Sequence, residues 1–254
     1  MLREERKRKI SHFIKEKEKA TVAELSNLFG VSESTIRRDL EELDGQGEIQ
    51  RAHGGAVAVE RSAPEPPVVH RMAESEEEKR KIGRAAAQLV QDGEVIFLGS
   101  GTTTLEVARH LDDKNDLTVI TNALNVANQL AGKQNVTVIV IGGLLRHSEL
   151  SLVGHITEQA LKELRADKVI MGMRAISIKE GLTNDYLPET MTDRAIINFA
   201  PEIIVVADHS KLGRVSTAYV APVKQITALV TDARADPIFL NCLREMGIRV
   251  IVVE

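Results

Sequence analysis

Apolar residues recur at helical spacing through the first quarter of the chain and then give way to short continuous runs. Ile36, Leu40 and Leu43 stand at i, i+4 and i+7, which predicts one buried stripe on a helix over 31–43. Ser32 is placed to cap it, and Ser34, Arg37, Arg38 and Glu41 fall on the opposite face. Ile10, Phe13 and Ile14 predict an earlier helix over 3–18. Between the two, Thr21-Val-Ala-Glu24 is a capping box that opens a helix through Leu25, Leu28 and Phe29, and Gly30 closes it. Helix, short glycine turn and helix make a helix-turn-helix pattern. Residues 48–51 and 56–59 alternate around His53-Gly54-Gly55, which predicts a small β-wing with Arg51 and His53 near its tip.

Three of the seven prolines fall in Glu60–Pro67, which reads as a semi-rigid, non-helical spacer. Ser75-Glu-Glu-Glu78 is a second capping-box pattern, predicting a helix through Ile82, Ala86, Leu89 and Val90. Beyond it, Val- and Ile-rich runs alternate with helical patterns. The runs are 94–98, 117–121, 136–141, 168–171, 203–207, 228–231 and 249–253. Such runs suit strands buried on both faces of a parallel sheet. The fold class is therefore α/β: an N-terminal winged helix-turn-helix domain (1–57), a linker (58–74) and a Rossmann-like, mostly parallel α/β domain (75–254).

The formal net charge is -4, and residues 1–58 hold 11 Lys plus Arg against 11 Asp plus Glu. Nucleic-acid binding by bulk positive charge is excluded, so any DNA contact must come from local geometry. Two adjacent arginines and small hydroxyls near a helix N-terminus supply that geometry for a major groove, and Arg51 and His53 suit phosphate or the minor groove. A single cysteine, Cys242, excludes an intrachain disulfide framework. No leader pattern or apolar run of membrane length is present, and a cytoplasmic protein without a cofactor or metal is expected.

Ligands of open α/β sheets bind beyond the carboxyl ends of strands. There Gly99-Ser100-Gly101-Thr102-Thr103-Thr104 leaves a strand and enters a helix, offering backbone amides, hydroxyls and a helix dipole to an anion. It lacks the lysine of a Walker loop and the third glycine of a dinucleotide fingerprint. A tight turn capped by threonine is the equal alternative. Asn122, Gly142, Gly143, Arg146, Asp208 and Lys211 follow other strands, with Arg146 and Lys211 suited to an anion and Asn122 and Asp208 to hydroxyls.

Ser32-Glu-Ser-Thr-Ile-Arg-Arg-Asp-Leu40 followed by Arg51-Ala-His-Gly-Gly-Ala56 resembles the head of the DeoR family of bacterial transcription regulators. The loop at 99–104, Thr121-Asn122, Gly142-Gly143, Ser151–Gly154, Ala166–Lys168 and Asp208–Lys211 resemble its sensor domain. The resemblance implies a repressor of a carbohydrate-catabolism operon with a fold like that of sugar-phosphate isomerases. Its implied partners are operator DNA, read through Ser32, Ser34, Thr35, Arg37 and Arg38, a small sugar or sugar-phosphate effector, and copies of itself in a dimer or tetramer. One stretch departs from the family pattern. Glu189-Thr-Met-Thr-Asp193-Arg194 carries Asp193 where members commonly have lysine, and Arg174 and Asp185 stand where many have small or neutral residues. These three become candidate effector contacts. The alternative reading is an isomerase-like enzyme with an accessory DNA head, although no acid/base constellation follows from the spacing.

Overall fold

The computed structural model describes residues 2–17, 19–46, 48–52, 54–58, 60–61 and 66–254. The head runs α1 (Arg3–Lys17), β1 (Lys19–Thr21), α2 (Val22–Phe29), α3 (Glu33–Gly45), β2 (Ile49–Ala52) and β3 (Gly55–Ala58). Ile10, Ile14, Leu25, Ile36, Leu40 and Leu43 form its core with Ile49 and Ala56. The Thr21–Glu24 capping box is present, and Gly30 ends α2 at φ 64°. The wing hairpin pairs Arg51 with Ala56. A third strand that the pattern did not announce, β1, pairs Ala20 with Ala56, giving the order β1-β3-β2. His53 lies outside the described residues.

After β4 (Glu60–Arg61) comes α4 (Val68–Arg71), a single turn whose Val68 and Arg71 are buried. Beyond the proline-rich spacer, the expected linker thus carries two buried residues. The second capping box does not form. Ser75 adopts φ 47°, ψ 42° and its side chain caps nothing, although α5 (Glu76–Ala87) starts where expected. Next are β5 (Val95–Leu98), α6 (Thr102–Arg109), β6 (Leu117–Thr121), α7 (Leu124–Leu130) and β7 (Val136–Val140). A hairpin, β8 (Leu144–Arg146) and β9 (Ser151–Val153), leads to α8 (His155–Glu163) and β10 (Lys168–Met171). Then come β11 (Ala175–Ser177), β12 (Gly181–Asn184), α9 (Leu187–Ile196) and β13 (Glu202–Val206). The chain continues through β14 (Arg214–Val215), β15 (Ala218–Ala221), β16 (Ala228–Asp232), α10 (Pro237–Glu245) and β17 (Arg249–Val253).

All seven apolar runs are strands of one parallel sheet, in the order β17-β16-β13-β10-β5-β6-β7. Alternation explains their continuous apolarity: Phe97, Val169, Met171, Ile203 and Val205 enter the core on one face. Ile96, Leu98, Ile170, Ile204 and Val206 enter the core on the other. The chain moves outward from β5 through β6 and β7, then returns to β10 and moves outward the other way. Neighbouring β5 and β10 therefore form the switch point where such sheets open a crevice. A small antiparallel sheet, β11-β12-β15, and the β8-β9 hairpin stand beside that crevice with α9. No helix among the described residues is long and apolar enough to cross a membrane.

Candidate effector cleft and DNA-facing helix

Helix α3 turns Ile36, Asp39, Leu40 and Leu43 inward. Ser34, Arg37, Arg38 and Glu41 are exposed, as the periodicity requires. Ser32 caps the helix, accepting from Thr35 N at 3.3 Å, and its hydroxyl lies 2.9 Å from those of Ser34 and Thr35. Arg37 is tied to Glu33 at 2.7 Å. Arg38 makes no hydrogen bond or ion pair among the described residues and is held only through its backbone. Arg51 stands beside this face, 3.6 Å from Glu41.

At the switch point a cleft is lined by the ends of β5, β10 and β13: Ser100–Thr103, Gly172–Arg174 and Val206–Asp208 with Ser210 and Lys211. Gly101, at φ 129°, lets the chain turn from β5 into α6 in a conformation that L side chains rarely adopt. The first amides of α6 then have no partner within the helix and point toward the cleft with the positive end of its dipole. Of the predicted residues, Ser100, Gly101, Thr102, Thr103, Arg146, Arg174, Asp185, Asp193, Asp208 and Lys211 line this cleft together.

Five predicted effector residues do not line it. Gly99 sits on the sheet against Met171. Thr104 is fully buried and donates its hydroxyl to the Gly101 carbonyl at 3.0 Å, so it caps the turn. Asn122 is buried and donates to the Leu152 carbonyl at 3.0 Å, tying β6 to the β8-β9 hairpin. Gly142 accepts from the Thr157 hydroxyl at 2.7 Å. Gly143 permits close packing, since a Cβ there would stand 2.2 Å from that hydroxyl. These glycines serve contact between chain segments.

The sequence reading missed much of the wall. Arg71, Glu74, Ser75 and Lys79 come from α4, α5 and the turn between them, and Glu149, Asn184 and Glu189 from the hairpin side. Buried Arg71 pairs with Glu149, 78 residues away, and Lys79 donates to the Arg71 carbonyl at 2.7 Å. Arg146 pairs with Glu189 and with Asp185 at 3.3 Å, and its guanidinium lies 4.6 Å from the Tyr186 ring centre. Arg174 reaches the other Asp185 oxygen at 3.4 Å. Glu189 also accepts from Ser151 at 2.9 Å.

Charge divides the cleft. Burial lowers the proton affinity of Lys79 and Lys211 against the pull of Asp208, and repulsion adds to it, from Lys211 and Arg71 at Lys79 and from Arg174 and Arg71 at Lys211. Burial likewise lowers that of Arg174. Burial works to raise Asp208, yet the Ser210 bonds and Lys211 hold its carboxyl below the usual range. Cations crowded enough to repel one another favour an added anion. Across the cleft the balance reverses: burial raises Glu149, and burial followed by Glu189 raises Asp193 well above the ordinary carboxylate range.

The same sequence matches the DeoR C terminal sensor domain over residues 74–233 and the DeoR-like helix-turn-helix domain over residues 6–62. The chain belongs to the DeoR family of transcription regulators. The repressor GlcR of Bacillus subtilis is 35% identical, with all of this chain and 98% of that protein covered. The glycerol-3-phosphate regulon repressor of Escherichia coli is 36% identical over 88% of each. This DeoR-family member is thus a DNA-binding transcription regulator, a reading that these relatives favour over the isomerase-like enzyme. Ribose 5-phosphate isomerase A of Methanocaldococcus jannaschii overlaps 55% of each chain at a TM-score of 0.41 and 20% identity, a distant likeness.

Proposed function

We propose that this regulator represses a carbohydrate-catabolism operon and is controlled by a small phosphorylated sugar or polyol bound in the switch-point cleft. The observation that carries the reading is the joining of the Ser100–Thr103 loop at the start of α6 with Lys79, Arg174 and Lys211 in one cleft. Backbone amides, hydroxyls and crowded cations suit a phosphate. The relative named for a glycerol-3-phosphate regulon supports an effector of that kind.

Residues 1–57 are the DNA head, 58–74 the connection and 75–254 the sensor, with Arg71 and Glu74 of the connection serving the cleft. Ser34, Thr35, Arg37 and Arg38 read the operator, with Ser32 setting the helix start and Arg51 and His53 on the wing. A homodimer or tetramer presents two heads to half-sites about one helical turn apart.

The test is thermal unfolding of the full chain with hexose, pentose and triol phosphates, beside their unphosphorylated parents. Phosphorylated members are expected to raise the melting temperature, by about 2.7 kcal/mol of stabilisation at a hundredfold excess over Kd. The Gly101→Val variant is expected to lose that response, because a branched side chain cannot hold φ 129°. A response to the parents alone sinks the phosphate reading.

A further inference from the structure

Asp193 stands apart from the carboxylates around it. Glu149 has Arg71, Glu189 has Arg146, and Asp185 has both Arg146 and Arg174. Among the described residues no cation lies within ion-pair distance of Asp193. Its hydrogen bond comes from Asn184, Nδ2 to Oδ2 at 2.7 Å. That amide is oriented by its own contact, since Asn184 Oδ1 accepts from the Asp185 N–H at 2.8 Å. One carboxyl oxygen of Asp193 is therefore assigned to Asn184. The side chain lies deep in the fold yet keeps part of its surface open to the cleft.

We infer that the ligand supplies the missing cation: Asp193 selects, among phosphorylated sugars and polyols, one that carries a protonated amine away from its phosphate. The inference rests on the cleft being the effector site. The groups that face Asp193 are Glu189 from its own helix, Glu149 and Arg146 from the β8 side, and the uncharged Asn184 at the end of β12. Arg146 is already engaged by Glu189 and Asp185. What remains is a carboxyl without a cation of its own, whose proton affinity is raised by burial and by Glu189. A hydroxyl ligand at that carboxyl gains an ordinary hydrogen bond. An ammonium ligand gains a charge-assisted bond and shifts Asp193 toward its ionised form, opposing the effect of burial. The phosphate end of the cleft, with Lys211 and Lys79, stays available to the same molecule.

Isothermal titration of the full chain tests this with pairs of probes: glucosamine, galactosamine and mannosamine 6-phosphates against the parent hexose 6-phosphates. At least one amino compound is expected to bind about tenfold tighter than its parent, the difference between a charged and a neutral hydrogen bond. Repeating the titration in buffers of different ionisation enthalpy, at a pH where the free amine is fully protonated, is expected to show more proton release by that amino compound than by its parent. The Asp193→Asn variant is expected to bind both members of the pair alike. Parents that bind as tightly as every amino compound overturn the inference and leave the proposed function standing. Failure of all the amino compounds to bind overturns it too, and failure of the hexose, pentose and triol phosphates as well removes the cleft reading with it. The proton count is read on the unmodified chain, so a variant that misfolds does not shelter the idea.

Discussion

Arg6 closes on the buried carboxylate of Asp39 with two hydrogen bonds, Nε to Oδ2 at 2.6 Å and Nη2 to Oδ1 at 3.2 Å. Asp39 is 1% exposed and follows Arg38 directly. The pair therefore fixes α1 to the inner side of α3 while Arg38 faces outward. Arg6→Ala leaves that carboxylate without its fork. It is expected to destabilise the head by about 2 kcal/mol, the scale of hydrogen bonds to a charged group. Urea unfolding followed by circular dichroism checks this. A variant as stable as the parent shows that Asp39 finds other partners.

Arg38 and Arg37 are adjacent and exposed but differ in commitment, because Arg37 is tied to Glu33 and Arg38 is not. Arg38→Ala is expected to weaken operator binding by about 1–3 kcal/mol if it grips a base, with the unfolding curve unmoved. If it grips phosphate, the salt dependence of binding loses about one counterion instead. Electrophoretic mobility shifts at several salt concentrations separate the two. Full affinity in the variant removes α3 from the operator.

Asp193 makes stability depend on pH in an unusual direction. Its carboxyl is held well above the ordinary range, so the folded chain keeps a proton that the unfolded chain releases. Stability from this group is complete below the ordinary aspartate range and falls as pH rises toward the raised folded value. Without ligand, Asp193→Asn is expected to flatten the fall in melting temperature between weakly acidic and neutral pH. Differential scanning calorimetry across that interval decides it. An unchanged slope shows that Asp193 is ionised in the folded state.

Much of the fold was legible because burial on both faces of a sheet leaves a mark that periodicity can read. Ile203-Ile-Val-Val206 has no polar alternation, and it lies in a central strand with side chains in both cores. The recognition face was equally plain, since Ile36, Leu40 and Leu43 fix which side α3 hides. The cleft was harder. A glycine pair such as Gly142-Gly143 looks the same whether a phosphate or the Thr157 hydroxyl approaches it. Ser75 matched a capping pattern, but its backbone turned left-handed as the chain entered α5. Arg71 and Lys79 were hidden for another reason. Their importance comes from Glu149 and Asp208, partners remote in sequence, and no local spacing records that. Asp185 and Asp193 were noticed through a departure from family pattern, whereas the pairing of Asp185 with Arg146 and Arg174, and of Glu189 with Arg146, had to be seen in three dimensions.

Arg71 and Lys79 do more than complete a wall. Arg71 belongs to the connection that follows the DNA head and Lys79 to the first helix after it, so one wall of the cleft is built where the chain enters the sensor. A guest that bargains with Glu149 for Arg71, or with the Arg71 carbonyl for Lys79, acts on the chain at that entry. Under the proposed function, such a guest pulls on the segment that leads back toward β4 without acting through the central sheet.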